Sequence, residues 1–242
     1  MFLSQIFMLS RLFIKEQLNE PVAFFWIMIS PCAIFYMMIF SKNDSTVFET
    51  EYLHSAAWFF AYVASSVALF GFCFYIIGRR ESGFVRSFIY TPYSRRRFLV
   101  SHFFSYSLIS ILYCSLFYLS SRPLFGAYNI TEYLDILTRF YLCFILFCIP
   151  GLILTLAALN FQNANTIISI FSFSMIAIGI IGSVRREKWV NLINIWNPID
   201  IAKNIMLGDM RLELIWAILL GFLITLIACH YLFRINPVWG RP

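Results

Sequence analysis

Residues Ser55 to Gly78 read SAAWFFAYVASSVALFGFCFYIIG, a run without one charged side chain, and it is followed at once by Arg79 and Arg80. A helix rises about 1.5 Å per residue, so a run of this length crosses the roughly 30 Å hydrocarbon core of a bilayer. Five further runs, at about 22–40, 98–119, 140–159, 165–184 and 214–233, are also uncharged or nearly so. The chain is therefore expected to be an all-α membrane protein with six transmembrane helices.

Composition points the same way. Of 242 residues, 61% are hydrophobic, 19% aromatic and only 12% charged, and the mean hydropathy is +0.79. So few charges cannot solvate the surface of a soluble domain, and disorder requires the opposite composition. Six crossings with short loops use up the length, which makes residues 1–242 one membrane domain. The net charge of +6 reads as a topology signal on membrane loops, and no nucleic-acid partner is expected. All six cysteines fall inside apolar runs, where they act as small fillers with no CxxC pair.

Residues 3–18 form a moderately amphipathic helix, with Leu3, Ile6, Phe7, Leu9, Phe13 and Ile14 on one side and Arg11, Lys15 and Glu16 on the other. Residues 1–20 are expected to lie in the membrane surface as an interface helix, with Arg11 and Lys15 available to anionic lipid head groups. The first span lacks a small-x-small cleavage site and is read as a retained helix. With the N-terminus inside, inner segments hold ten of the 18 Lys and Arg. Six of these ten are arginines in the short loop 79–97, which favours both termini on the cytoplasmic side. Pro31 and the pair Pro150 and Gly151 permit kinks in the first and fourth spans.

Chemistry is scarce. The six apolar cores contain no Asp, Glu, Lys or Arg, which disfavours an ion-coupled transporter. His54, His102 and His230 stand apart on different segments and read as polar residues near an interface, not as metal ligands. No GxSxG, HExxH or GxxxxGK[ST] motif occurs, so catalytic, cofactor and metal sites are not expected in this chain.

The informative loop is Arg79 to Arg97, RRESGFVRSFIYTPYSRRR. Glu81 to Tyr90 reads as a short helix with an acidic start, which Thr91 and Pro92 end, while Ser94 caps the next helix. A positive-inside anchor loop explains the arginines but not this punctuation. Farther on, WVNLINIWNPIDIAKNIMLG at 189–208 is interrupted at Asn197-Pro198, and a broken segment is stable at membrane depth only where it lines protein or water. A plain external loop is the alternative.

Glu81-Ser82-Gly83-Phe84-Val85, followed by Thr91-Pro92-Tyr93-Ser94-Arg95, resembles the permeases of type-two ABC exporters, which typically show E-x-G-T-L and then T-P before the third span. Phe84 replaces the usual Thr, and Ser101-His102 stands where Gly-Lys is frequent. The resemblance implies an interface helix, six spans, a cytoplasmic coupling loop at 79–97 with its helix at Glu81–Tyr90, and a re-entrant outer region at 185–211. It implies a homodimer in a bacterial inner membrane, with ATP and Mg held on a separate nucleotide-binding ATPase subunit. Docking to that ATPase would fall to Phe84, Phe88 and Ile89 as apolar anchors, with Arg79, Glu81 and Arg86 as a charged rim and Gly83, Thr91 and Pro92 as punctuation. Its cargo would be a lipid, glycolipid, polysaccharide, peptide or hydrophobic drug. The alternative is an ATP-independent channel, carrier or immunity protein; an embedded transferase or protease lacks catalytic residues.

Overall fold

The computed structural model describes residues 2–41, 52–84, 91–184, 194–209 and 211–233. In chain order the helices are α1 (Phe2–Leu18), α2 (Pro21–Ser41), α3 (Tyr52–Glu81), α4 (Pro92–Ser121), α5 (Ile130–Leu156), α6 (Phe161–Val184), α7 (Pro198–Leu207) and α8 (Leu212–Leu232). No strand occurs among the described residues. All but α1 and α7 are long and apolar enough to cross a membrane, so this is an all-helical integral membrane protein with six candidate spans.

The bundle is built around α3. Its most apolar stretch is 78% buried inside the chain, against 28% for α2 and 22% for α6 and α8. Ala56, Ala57, Ala61, Ala64, Ser65, Ser66 and Ala68 are all buried along it, and such small side chains let neighbouring backbones approach closely. α4, α5 and α7 pack directly against it. At Val67–Cys73 the α3 backbone opens into a π-helical turn, where closest packing occurs. A Cβ on Gly71 would lie 2.7 Å from the Tyr106 ring, and one on Gly151 would lie 2.1 Å from Cys73 Sγ. The carbonyl of Phe72 in this turn accepts a 2.9 Å hydrogen bond from His102 Nε2.

His102 is thus fully buried inside the bundle. Its ring is stacked on Phe72, Tyr75 and Phe98, with Phe13 of α1 edge-on to it. A second aromatic cluster, Phe35, Phe59, Phe60, Phe117 and Phe140, fills the far half of the bundle. Much of the high aromatic content is therefore interior packing.

Local chemistry sets helix ends that hydropathy misplaced. α4 starts at Pro92, six residues before its apolar run. Thr91 is the N-cap, and its Oγ1 and backbone exchange hydrogen bonds with Ser94 in a capping box. Thr91 is thus the cap in place of the expected Ser94, which is its reciprocal partner. At 30 residues, α4 is about 45 Å long and exceeds the hydrocarbon core.

α1 follows α4 along its length. Contacts step forward on both helices together, from Gln5 with Arg97, through Ser10 with Ser101, to Gln17 with Tyr106. The buried face of α1 is Ile6, Ser10, Phe13 and Gln17, while Phe7, Met8, Arg11, Leu12 and Lys15 are exposed.

The Gly151 contact makes a stability prediction. Gly151→Leu should lower the thermal midpoint of the detergent-solubilised protein, at a cost of about 1–3 kcal/mol from overpacking. An unchanged midpoint would mean that α3 and α5 are not closely apposed there.

Candidate functional site

The ends of α3 and α4 on either side of residues 85–90 bind an unusual range of partners. Arg80 is completely buried. Its Nε donates to Glu81 Oε1 at 3.0 Å, Nη1 to the carbonyls of Thr155 and Ala157 at 2.9 and 3.1 Å, and Nη2 to the Leu159 carbonyl at 2.5 Å. Those carbonyls belong to the last turn of α5 and the short connection into α6, where the helix dipole is negative and backbone acceptors lack intrahelical donors. A planar guanidinium suits several fixed acceptors at once, as an ammonium does not.

Its neighbours reach elsewhere. Arg79 donates to the Glu16 carboxylate of α1 and to the Tyr75 hydroxyl, which itself donates to Glu16. Arg95 donates to the His230 and Tyr231 carbonyls at the end of α8, at 3.2 and 3.4 Å. Arg97 donates to Gln5 of α1. Four arginines of one loop region thereby grip α1, the α5–α6 connection and α8.

These contacts revise the expected loop. Glu81 does not open a loop helix; it is the last residue of α3, buried beside Arg80. α3 ends there because Gly83 adopts a left-handed backbone, φ 76°, with its N–H on the Arg80 carbonyl. Glu81 and Arg79 are accordingly internal ties and not an open charged rim. Phe84 is half-buried, with the Arg79 guanidinium 4.7 Å from its ring centre. Thr91 is exposed and Pro92 is the first residue of α4. Arg86, Phe88 and Ile89 lie outside the described residues. Arg11 and Lys15 of α1 are both exposed.

The segment at Asn197-Pro198 is anchored at both ends of α7. Asn197, buried, caps the helix by accepting from the Ile199 N–H, and its amide donates to the Met175 carbonyl of α6 at 2.9 Å. At the other end Arg139 Nη1 donates to the Met206 carbonyl at 2.9 Å, and Gly208, φ 94°, terminates the helix. Between them α7 packs on α3 and α5. Burial holds the Asp200 carboxyl above its ordinary range, partly offset by Lys203. Asn194 and Ile195 before the break are helical, and 185–193 and Met210 lie outside the described residues.

Two features were missed from sequence. The outward faces of α2, α4 and α8 are apolar away from the helix ends, as Trp26, Ile34, Phe104, Leu108, Leu220 and Ile224 illustrate. On α6 the exposed positions Gln162, Asn165, Thr166 and Ser169 form an uncharged polar stripe over the first nine residues, beside exposed Ile167 and Ile170. Thr166 satisfies its hydroxyl on the Gln162 carbonyl. The 3–4 residue spacing was visible in FQNANTIIS, but burial is what turns it outward. Arg80 was missed as well, because nothing in the letters RRE separates a buried arginine from an anchoring one.

The clamp on α7 is testable. Asn197→Ala removes both the cap and the bond to α6, so the protein should lose about 0.5–2 kcal/mol and become more protease-sensitive near residue 197. Unchanged cleavage would show that α7 is held without this side chain.

A comparison with protein-family models finds no match. The chain is similar to Protein McbE of Escherichia coli, with 28% identity over 231 residues, covering 95% of this chain and 96% of that protein.

Proposed function

We propose that this chain is the membrane-spanning subunit of an ATP-binding-cassette exporter, a non-catalytic permease driven by a separate ATPase chain that holds ATP and Mg. The observation that carries this reading is the loop whose arginines converge on several helices. A loop that serves only as a positive-inside anchor needs its charges near head groups; here Arg79, Arg80, Arg95 and Arg97 are spent on α1, the α5–α6 connection and α8. That arrangement suits a segment that receives a push and passes it to the bundle. The E-x-G and T-P punctuation of the exporter permeases falls on this same segment, and here its Gly83 and Thr91 end α3 and cap α4.

In this reading residues 79–97 face the cytoplasm of a bacterial inner membrane, as do both termini. The ATPase seats on Phe84 and the residues after it, including Arg86, Phe88 and Ile89. α7 with its Asn197-Pro198 break is the re-entrant element of the outer side, and α1, packed along the loop end of α4, holds Arg11 and Lys15 toward anionic lipid. Two copies of the chain make the permease. Apart from the Thr166 hydroxyl, which bonds the Gln162 carbonyl, the polar stripe of α6 would be unfavourable toward lipid tails, since lipid offers its amides no hydrogen-bond partner. It therefore faces the second copy or the path between the two, which favours a cargo bearing hydrogen-bonding groups, such as a peptide or glycolipid.

Purification of the tagged chain in mild detergent from its native membrane tests the reading. A separate ATPase should accompany it, and Phe84→Asp should reduce the recovered ATPase at least about tenfold, the loss expected when a docking anchor is removed, while membrane insertion stays normal. Recovery of the chain alone, with its loop uncut, would instead support an ATP-independent channel, carrier or immunity protein.

A further inference from the structure

The way α6 is held suggests which helix the loop moves. α6 is among the least buried spans, 22% in its most apolar stretch, and touches α7 at one end and the last turns of α3 at the other. At that second end two ties are present. The Phe161 ring, the first residue of α6, lies 4.6 Å from Phe74, centre to centre, and a Cβ on Gly78 would be 3.4 Å from it. Just before it, the Ala157 and Leu159 carbonyls are held by Arg80. Arg80 sits three residues before Gly83, where the loop begins, so one buried side chain joins the loop to the root of α6.

We propose that Arg80 is a positioning residue that carries loop displacement to α6, making α6, with its stripe Gln162, Asn165, Thr166 and Ser169, the helix that moves when the partner ATPase closes. The inference rests on the exporter reading and adds to it both the transmitting side chain and the moved element. Physically, a guanidinium hydrogen-bonded to two carbonyls of a short connection and to one in the last turn of α5 is stiff in both push and pull, whereas the apolar contact of Phe74 with Phe161 can slide. Arg79 pulls on α1 and Arg95 on α8, so Arg80 alone among the bonded arginines of the described loop flanks reaches the start of α6.

The test uses Ser169→Cys as a reporter, because Ser169 is exposed and the six native cysteines are buried or half-buried. Native membranes carrying the full chain are treated with a maleimide, with and without ATP plus vanadate. In the parent, ATP–vanadate should change the Ser169→Cys labelling rate several-fold. Added Arg80→Gln should abolish that change while the amount of co-purifying ATPase and the nucleotide-free labelling rate stay at parental values, a pattern that loss of folding does not give. Arg80→Lys, which keeps the charge but not the fork, should retain a reduced response. If Arg80→Gln fails to accumulate, the reduced response of Arg80→Lys decides.

A full response in Arg80→Gln, or in Arg80→Lys when that variant decides, overturns the inference and leaves the exporter reading standing. So does an unresponsive parent that still brings down an ATPase. An unresponsive parent with no ATPase removes the exporter reading, and the inference with it.

Discussion

A permanently charged guanidinium in a bundle interior must be satisfied where it sits, and Arg80 is the point on which the loop end of this protein depends. Moving such a group out of water costs several kcal/mol unless its donors are matched. Glu81 balances the charge, and three carbonyls at the end of α5 and in the α5–α6 connection take the remaining donors described. The ends of α3 and α5 and the start of α6 therefore cannot separate without exposing an unpaired ion. Arg79, Arg95 and Arg97 bring α1 and α8 into the same assembly.

α3 is suited to stand at the centre of that assembly. Small residues along its first half admit α5 and α7, and its π-helical turn meets Gly151 and Tyr106 where closeness is greatest. π-helical turns recur at functional sites because they shift register within a helix without ending it. Below the turn, a polar cluster of Glu16, Tyr75 and Arg79 joins α1 to α3. Above it, aromatic rings fill the space between α2, α3, α4 and α5. The half of the bundle nearest the loop is thus fastened by buried ions and hydrogen bonds beside the rings around His102, and the far half by rings together with the Arg122–Glu132 pair and the Tyr52–Ser121 hydrogen bond. Arg139 and Asn197 secure α7 there.

The six spans were legible because membrane insertion selects for long uncharged runs, and hydropathy reports those directly. Their ends were less legible, because a capping box such as Thr91 with Ser94 extends a helix into residues that hydropathy counts as loop. The ionic ties were illegible for a different reason. Glu81 next to Arg80 looks like a solvated pair, and only the approach of α5, 75 residues away in sequence, makes it a buried one. His102 likewise carries no local mark of the Phe72 carbonyl that accepts its hydrogen bond. The α6 stripe lies between these cases: its period is in the letters, and its outward direction is a product of packing.

The central claim is that force from an ATPase enters this bundle at residues 79–97. Electron cryomicroscopy of the chain, taken from its native membrane into lipid nanodiscs without added partners, tests this most directly. The account expects density for a second protein seated over Phe84 and the start of α4, with Arg80 still bound to the α5–α6 connection. A well-resolved particle in which that face meets only lipid and solvent would contradict it.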